Sequence, residues 1–234
     1  MTGLLSLRDL TGWYTPDRPV LDRLSLELES HEVVGLMGLN GAGKTTLLKI
    51  LSGLLGSFRA GETAWHGRPV SFRDEAFKRS RFTVLAEGCP FRYFTFREYL
   101  AYASACYQRP LPEVGELVEG FGFGRYTDYL LKDLSTGNLK KAYLITAFAL
   151  GPELLLLDEP VNGLDFQSTE YLYRRMGEYK ARGTILFSSH ILESLCLTAD
   201  RVLVLDRGRI CRSFTGPELD AGAIREVLNR ESQS

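Results

Sequence analysis

A glycine-rich run near the start of the chain constrains the fold more than any other feature of this sequence. The run fits the pattern GxxxxGK[ST] and reads Gly38-Leu39-Asn40-Gly41-Ala42-Gly43-Lys44-Thr45. It joins a predicted buried strand, residues 32–37, to a predicted helix, residues 44–54. Glycines let successive backbone N–H groups point inward around an anion, and the helix adds the positive end of its dipole. The run therefore predicts a phosphate-binding loop in which Lys44 reaches the β- and γ-phosphates and the Thr45 hydroxyl binds Mg²⁺.

A second chemical feature is an acidic pair at the end of an apolar run. Four consecutive leucines, residues 154–157, precede Asp158 and Glu159. Such a run is typical of a strand that is covered on both faces, as in a parallel sheet. Ligands of such sheets bind beyond the carboxyl ends of the strands. Asp158 is therefore predicted in the Mg²⁺ shell, and Glu159, on the opposite face of the strand, as general base or orienter of a water.

The order of the remaining segments predicts the architecture. Residues 4–10 and 24–28 alternate like antiparallel strands, whereas 154–158 and 184–188 resemble parallel core strands separated by a helix, 167–180. Residues 202–205 and 209–212 predict a hairpin whose Asp206-Arg207-Gly208 turn needs positive φ, followed by a helix at about 217–229. The middle of the chain predicts several helices. The expected fold is α/β: a nucleotide-binding core with a mixed or parallel sheet flanked by helices, an antiparallel β subdomain and an inserted α-helical subdomain.

Length and composition limit the class of protein. With 234 residues and 44% hydrophobic content, the chain suits one domain: a core with the β subdomain (1–94 and 152–234) and a helical subdomain (about 95–151). The formal net charge of −1 gives no field that favours nucleic acid. No secretory leader is visible, and the apolar runs are far shorter than the ~20 residues that cross a bilayer. Reduced thiols are expected at the four widely separated cysteines: Cys89, Cys106, Cys196 and Cys211.

Three further segments identify a family. They read Leu134-Ser135-Thr136-Gly137-Asn138, Val161-Asn162-Gly163-Leu164-Asp165 and Ser188-Ser189-His190. In order and spacing they resemble the LSGGQ signature, the D-loop and the switch histidine of ATP-binding-cassette (ABC) ATPases. Together with the phosphate loop and the acidic pair, the resemblance extends from residue 4 to about residue 212.

The resemblance implies a role for each matching residue. Tyr14, or alternatively Trp13, would stack on adenine, as aromatic faces do. Glu87, at the Q-loop position, would approach Mg²⁺ and the attacking water, Glu159 would activate the water, and His190 would contact the γ-phosphate. The triphosphate and Mg²⁺ would be held by the phosphate-loop residues: Gly38, Leu39, Asn40, Gly41, Ala42, Gly43, Lys44, Thr45 and Thr46. The signature and D-loop would serve the ATP of a second subunit through Ser135, Gly137, Asn138 and Asp165.

Four positions depart from the family pattern, and one of them, Val161 in place of the usual threonine, implies no functional consequence. Thr136 replaces the usual glycine, Asn138 the usual glutamine of the signature, and Glu87 the usual Q-loop glutamine. Gly137, whose backbone must approach phosphate closely, is retained. A weaker or slower but competent composite site is therefore expected.

The implied function is that of an ATP-hydrolysing subunit that powers a separate integral membrane permease. Two subunits, identical or paralogous, would clamp two ATP molecules head to tail at the cytoplasmic face of the cell membrane. Short length and the altered signature resemble export-type subunits. The alternatives are a non-transport ABC ATPase and a nucleotide-dependent regulatory subunit. Phe91 and Tyr93, in an aromatic run, are predicted either to contact the permease or to form the subdomain core; His31 and His66 are predicted on the surface.

Overall fold

The computed structural model describes residues 3–88 and 90–231, and for residues 228–231 the backbone alone. The predicted thiol of Cys89 lies outside the described residues. Cys106 and Cys196 are free thiols, and Cys211 Sγ lies 3.4 Å from the carbonyl oxygen of Val204.

The described residues contain eleven strands and eight α-helices. The strands are β1 (Gly3–Thr15), β2 (Arg18–Glu29), β3 (Val33–Met37), β4 (Phe58–Arg59), β5 (Glu62–Trp65), β6 (Arg68–Pro69), β7 (Arg81–Val84), β8 (Leu154–Asp158), β9 (Thr184–Ser189), β10 (Arg201–Asp206) and β11 (Arg209–Thr215). The helices are α1 (Lys44–Leu51), α2 (Glu75–Ser80), α3 (Phe96–Cys106), α4 (Gly115–Gly120), α5 (Thr136–Leu150), α6 (Phe166–Tyr179), α7 (Leu192–Thr198) and α8 (Ala221–Glu231). None of these helices is both long and apolar enough to span a bilayer.

The central sheet has the order β11-β10-β3-β9-β8-β7, and only β11 runs antiparallel to its neighbour. Its register places Met37 beside Ser189 and Asp158 beside Ser188. The carboxyl ends of β3, β8 and β9 therefore meet at one edge. Because the phosphate loop, the acidic pair and His190 each follow one of these strands, the fold delivers all three to that edge.

Apolar side chains leave this sheet on both faces. Leu154 and Leu156 belong to a core shared with α1 and the antiparallel sheet, whereas Leu155 and Leu157 pack into a core shared with the helices. Side chains alternate along a strand, so four leucines in a row serve two cores at once. The antiparallel sheet has the order β2-β1-β5-β6, with β4 paired to β1.

Helices α3, α4 and α5 form the middle of the chain. Thr95 begins α3 with a capping box to Glu98, and Ser135 caps α5 through a bond from the backbone N–H of Asn138. Nearly every residue of α5 after its first turn is buried, so this helix passes through the interior rather than over the surface.

The predicted fold class is confirmed: the chain is α/β, with a mixed central sheet, an antiparallel sheet and a set of helices. The hairpin turn has positive φ at Arg207 (42°) and Gly208 (78°), as expected. His31 and His66 are exposed, also as expected.

Several boundaries differ from the predicted ones. The first helix ends at Leu51 because Gly53 turns the chain with a φ of 78°. Strands β1 and β2 are longer than the alternating segments, and the final helix begins at Ala221 after a short 3₁₀ turn. Residues 58–84, which yielded no prediction, form four short strands and α2; α7 was not predicted either. Strands of two to four residues are too short to show a period.

Candidate functional site

The phosphate loop ends at Gly43, whose φ of 111° only glycine adopts readily and which caps α1. No side chain caps this helix, and its first turn contains no acidic residue. The first N–H groups of a helix have no partner within it, so here they are open to an anion. This uncapped start fits a phosphate group.

Lys44 turns its side chain into the same loop. It is 7% exposed, and its Nζ donates to the carbonyl oxygens of Gly38 (2.6 Å) and Leu39 (3.3 Å). Burial lowers the pKa of Lys44, while the negative charges of Glu159 and Asp158 partly oppose that shift. A buried ammonium held only by carbonyls beside a helix start is a group that an anionic ligand would stabilise.

The loop rests on the turn between β10 and β11. Gly208 donates its backbone N–H to the carbonyl of Ala42 (3.0 Å) and accepts from the N–H of Asp22 in β2 (3.1 Å). A Cβ on Gly38 would overlap the carbonyl oxygen of Leu205 at the end of β10. Backbone atoms of β10 and of the turn that follows it therefore pack directly against the loop.

Asp158 ends β8 and is 1% exposed. Its carboxylate accepts hydrogen bonds from Thr45 Oγ1 (2.9 Å) and Ser188 Oγ (2.7 Å). Within the described ranges, no group of three or more His, Cys, Asp or Glu side chains forms a protein-only metal cage. Mg²⁺ in phosphate-transfer sites is bound by few protein oxygens together with phosphate and water, so the Thr45–Asp158 pair fits that ion.

Glu159 follows Asp158 in the left-handed region, with a φ of 47°. Its N–H donates to Ser188 Oγ (2.9 Å), its carbonyl accepts from Lys140 Nζ (2.7 Å), and its Oε2 lies 2.8 Å from Nδ1 of His190. The expectation that Glu159 lies on the opposite face of the strand is wrong. The strand ends at Asp158, and the left-handed turn carries the next carboxylate toward His190 instead.

The signature residues surround a separate cavity of about 420 Å³, whose lining includes Ser135, Gly137, Asn138 and Asp165 but no phosphate-loop residue. Gly137 packs directly on the D-loop, because a Cβ there would lie under 3.0 Å from the carbonyl oxygen of Gly163.

Lys141 lies in α5 just after these residues, and its Nζ is 2.6 Å from Asp165 Oδ2. The hydrogen bond from Lys141, aided by the backbone N–H of Ser168, lowers the pKa of Asp165 to about 2. The signature helix and the D-loop are thus joined within one chain.

Among the described residues, neither Tyr14 nor Glu87 hydrogen-bonds to Thr45, Asp158, Glu159 or His190. Tyr14 is 55% exposed at the end of β1, with Lys49 Nζ 5.9 Å from its ring centroid, whereas Trp13 is half-buried. Glu87 is exposed and, among the described residues, has no hydrogen bond to Thr45 or Asp158. The structure therefore brings together Thr45, Asp158, Glu159 and His190 but not Glu87.

A family model described as "ABC transporter" matches residues 21–162. The chain belongs to the ABC transporter family. The "Putative ABC transporter ATP-binding protein AlbC" of Bacillus subtilis is 36% identical over 88% of this chain and 90% of its own length. The "ABC-type transporter ATP-binding protein EcsA" of the same organism is 34% identical over 92% and 89%. A solved structure titled "Structure of ATP binding subunit of ABC transporter" superposes with a TM-score of 0.83 at 31% identity, covering 96% of this chain and 94% of that one.

This chain is thus an ATP-binding subunit of an ABC transporter, in a family that binds ATP, typically with Mg²⁺. Two residues of the subunit's centre, Ser188 and Lys140, have no role predicted from the sequence. Ser188 bonds both Asp158 and the N–H of Glu159, and it stands at a predicted strand end beside the switch histidine. This position beside the switch histidine could have predicted a role for Ser188. For Lys140, the sequence shows only a basic residue that follows the signature.

Proposed function

We propose that this ABC subunit binds ATP with Mg²⁺, hydrolyses it, and thereby powers a separate integral membrane permease. The observation that carries the proposal is the meeting of Thr45, Asp158, Glu159 and His190 at the mouth of an uncapped helix. Catalysis of phosphoryl transfer is mainly positioning and electrostatic stabilisation, and these groups supply both.

Binding uses the loop and the buried carboxylate. The N–H groups of residues 38–46 would hold the phosphates, and Lys44 would exchange its two carbonyl partners for phosphate oxygens. Thr45 and Asp158 would hold Mg²⁺, which neutralises phosphate charge when bound. Tyr14, with its ring open to solvent, is the residue for the adenine face.

Hydrolysis requires a base beside the attacking water. Glu159 takes that role, and His190, 2.8 Å from its carboxylate, orients it and reaches toward the γ-phosphate. Glu87 is the third group proposed for hydrolysis. Its side chain would have to turn toward the site, because it is exposed and makes no hydrogen bond to Thr45 or Asp158 among the described residues.

A second subunit completes each site. The signature cavity is lined by Ser135, Gly137 and Asn138 and stands apart from the phosphate loop of the same chain. Head-to-tail pairing with an identical or paralogous subunit gives this cavity a nucleotide to contact, with Asp165 at its edge. Ser135, Gly137 and Asn138 lie at the start of α5 and line the cavity, so the positive end of that helix faces it and would favour an anion there.

The test uses two substitutions in the purified chain. Lys44→Ala is expected to lower affinity for Mg-ATP by at least about a hundredfold, since the loop loses its only ammonium. Glu159→Gln is expected to keep affinity within about twofold while ATP turnover falls by about a hundredfold or more. Steady turnover that is unchanged in Glu159→Gln would refute the assignment, and absence of turnover in the unmodified chain would favour a regulatory subunit instead.

Permease binding is proposed at a cavity of about 470 Å³ lined by residues of β7 and α3. Phe91 lines this cavity, and its ring centroid lies 5.1 Å from that of Tyr99 and 5.2 Å from that of Tyr102. This ring therefore also belongs to the aromatic core. Tyr93 is 67% exposed, with Arg92 and Lys132 over its ring. Exposed aromatics and arginine are enriched in interfaces. Co-purification with a co-expressed permease should fall when both Phe91 and Tyr93 are replaced by Ala.

The direction of transport is proposed as export, on the length of the chain and its altered signature. Docking on the permease would hold the subunit at the cytoplasmic face of the membrane. Reconstitution of the complete transporter in vesicles tests this directly, because ATP added to the subunit-bearing side should drive cargo away from that side. Cargo moving toward the added ATP would reverse the assignment.

A further inference from the structure

Lys140 is a buried ammonium without a carboxylate partner. It lies in the second turn of α5, is 4% exposed, and donates to the carbonyl oxygen of Glu159 at 2.7 Å. In the described part of the chain, no carboxylate oxygen lies within 4.0 Å of its Nζ. A cation near the start of a helix opposes the helix dipole, and burial removes its hydration. Burial lowers the pKa of Lys140, while the negative charges of Asp158 and Glu159 partly oppose that shift. The position is therefore costly, and the bond to the Glu159 carbonyl is the direct contact that the ammonium gains there.

Glu159 is itself held in an unfavourable conformation. Its φ of 47° lies in the left-handed region, which a non-glycine residue keeps only where its surroundings fix it. Ser188 accepts from its N–H, His190 meets its carboxylate, and its carbonyl accepts from Lys140 and from the N–H of Asn162 (3.2 Å). Among these partners, only Lys140 comes from the signature helix.

We propose that Lys140 is a positioning residue for hydrolysis: its bond to the Glu159 carbonyl fixes the turn that aims the Glu159 carboxylate at the water. The inference rests on the proposed role of Glu159 as general base. It does not require Lys140 to touch nucleotide. Loss of Lys140 should therefore lower ATP turnover, which depends on Glu159, without lowering affinity for Mg-ATP, which depends on the phosphate loop. Loss of a residue that binds nucleotide would lower both.

The same helix also carries the signature. Ser135 and Asn138 stand at the start of α5, at the cavity proposed for the second subunit's ATP, and Lys140 follows within the next turn. A rigid helix transmits a displacement of its first turn to its second. A shift of α5 on contact with the second subunit's phosphate therefore reaches Glu159 of the first site through one hydrogen bond.

The experiment compares three variants of the full chain. Lys140→Met removes the ammonium and retains the length of the stem. Lys140→Gln removes the charge but keeps an N–H donor, and it serves if Lys140→Met fails to fold. Thr146→Val is the matched control, because Thr146 is a fully buried polar residue of the same helix that bonds Ala142 and does not contact Glu159.

Two measurements are made on each variant. In ATP turnover, Lys140→Met is expected to lower kcat by about tenfold to a hundredfold, as small misplacements of catalytic groups do, with the dissociation constant for Mg-ATP within about twofold. In hydrogen exchange of the nucleotide-free chain, amides of residues 159–164 are expected to exchange faster. Lys140→Gln should lie between Lys140→Met and the unmodified chain, and Thr146→Val should match the unmodified chain in both.

The outcomes are distinct. Unchanged kcat and unchanged exchange in folded Lys140→Met or Lys140→Gln would overturn the inference, and so would equal losses of kcat and affinity. If the unmodified chain bound ATP without turning it over, the proposed hydrolysis would fail instead. Exchange at residues 159–164 would then decide alone whether Lys140 holds the turn.

Discussion

The contact between Gly137 and Gly163 reverses the usual effect of replacing a helical glycine. Gly137 lies in the first turn of α5, and alanine there has no unfavourable φ to overcome. In an ordinary helix, Gly→Ala stabilises a protein by about 0.5–1 kcal/mol, mainly because the unfolded chain loses freedom. At position 137 the added Cβ would lie under 3.0 Å from the backbone oxygen of Gly163, so something must move.

The size of the destabilisation depends on how far the D-loop can shift away from the added Cβ. The obstructing atom is backbone, and Gly163 is fixed by its own φ of 82°. Two residues later, Asp165 caps α6 and pairs with Lys141 of α5, which limits any displacement of the D-loop. Overpacking of this kind costs about 1–3 kcal/mol. After subtraction of the helix gain, Gly137→Ala should lower the free energy of unfolding by up to about 2.5 kcal/mol, which is up to about 10 °C in Tm for a chain of this length.

The assay is equilibrium unfolding in urea, with Tm as a second measure. Gly177→Ala is the matched control, because Gly177 lies in α6 and its added Cβ would have no atom within 4 Å. That variant should gain about 0.5–1 kcal/mol. The two substitutions are chemically identical, so the difference between them reports the contact with Gly163.

Equal gains in Gly137→Ala and Gly177→Ala would refute this reasoning. The need for glycine at position 137 would then come from nucleotide alone and not from packing inside the subunit. A loss in Gly137→Ala that appears only with nucleotide present would lead to the same conclusion.

Three further predictions concern charge, stacking and a buried hydroxyl. The bond from Lys141 holds the pKa of Asp165 at about 2, below its unfolded value of 3.8. The ionised carboxylate therefore stabilises the fold above pH 3.8, and that contribution is lost as the pH falls toward 2. Asp165→Asn should be modestly less stable than the unmodified chain in urea at pH 7, because the group is largely exposed, and should match it near pH 2. Tyr14→Ala should weaken Mg-ATP binding by about 1–3 kcal/mol in a fluorescence titration, while Tyr14→Trp should retain it. Thr184→Val should lower the free energy of unfolding by about 1–3 kcal/mol, because the fully buried Thr184 hydroxyl donates to the carbonyl of Glu29 and accepts from the N–H of His31.

The edge of the sheet at which the site forms was predictable from the sequence for a simple reason. The phosphate loop, Asp158 and His190 each follow a run of apolar residues, and parallel strands end at a common edge. The register of the sheet then decides the rest, and it brings Thr45 within 2.9 Å of Asp158. Local pattern and topology together sufficed for this part.

Contacts that depend on long-range packing were not predictable in the same way. The left-handed turn at Glu159 breaks the strand geometry that four leucines suggest, and it is fixed by partners from β9 and α5. Nothing in the local sequence links Lys140 to that turn. Gly137 is a similar case, because its neighbour Gly163 belongs to another loop, and a family motif records the glycine without recording what it packs against.

Residues that support the phosphate loop come from late in the chain. Gly208 and Leu205 provide backbone beneath the loop, while the span that the family model matches ends at residue 162. A fragment limited to that span would contain the whole loop motif, Asp158 and Glu159, but it would lack the backbone contacts that Leu205 and Gly208 make with the loop. A fragment long enough to match the family model is therefore too short to include the residues that support its phosphate loop.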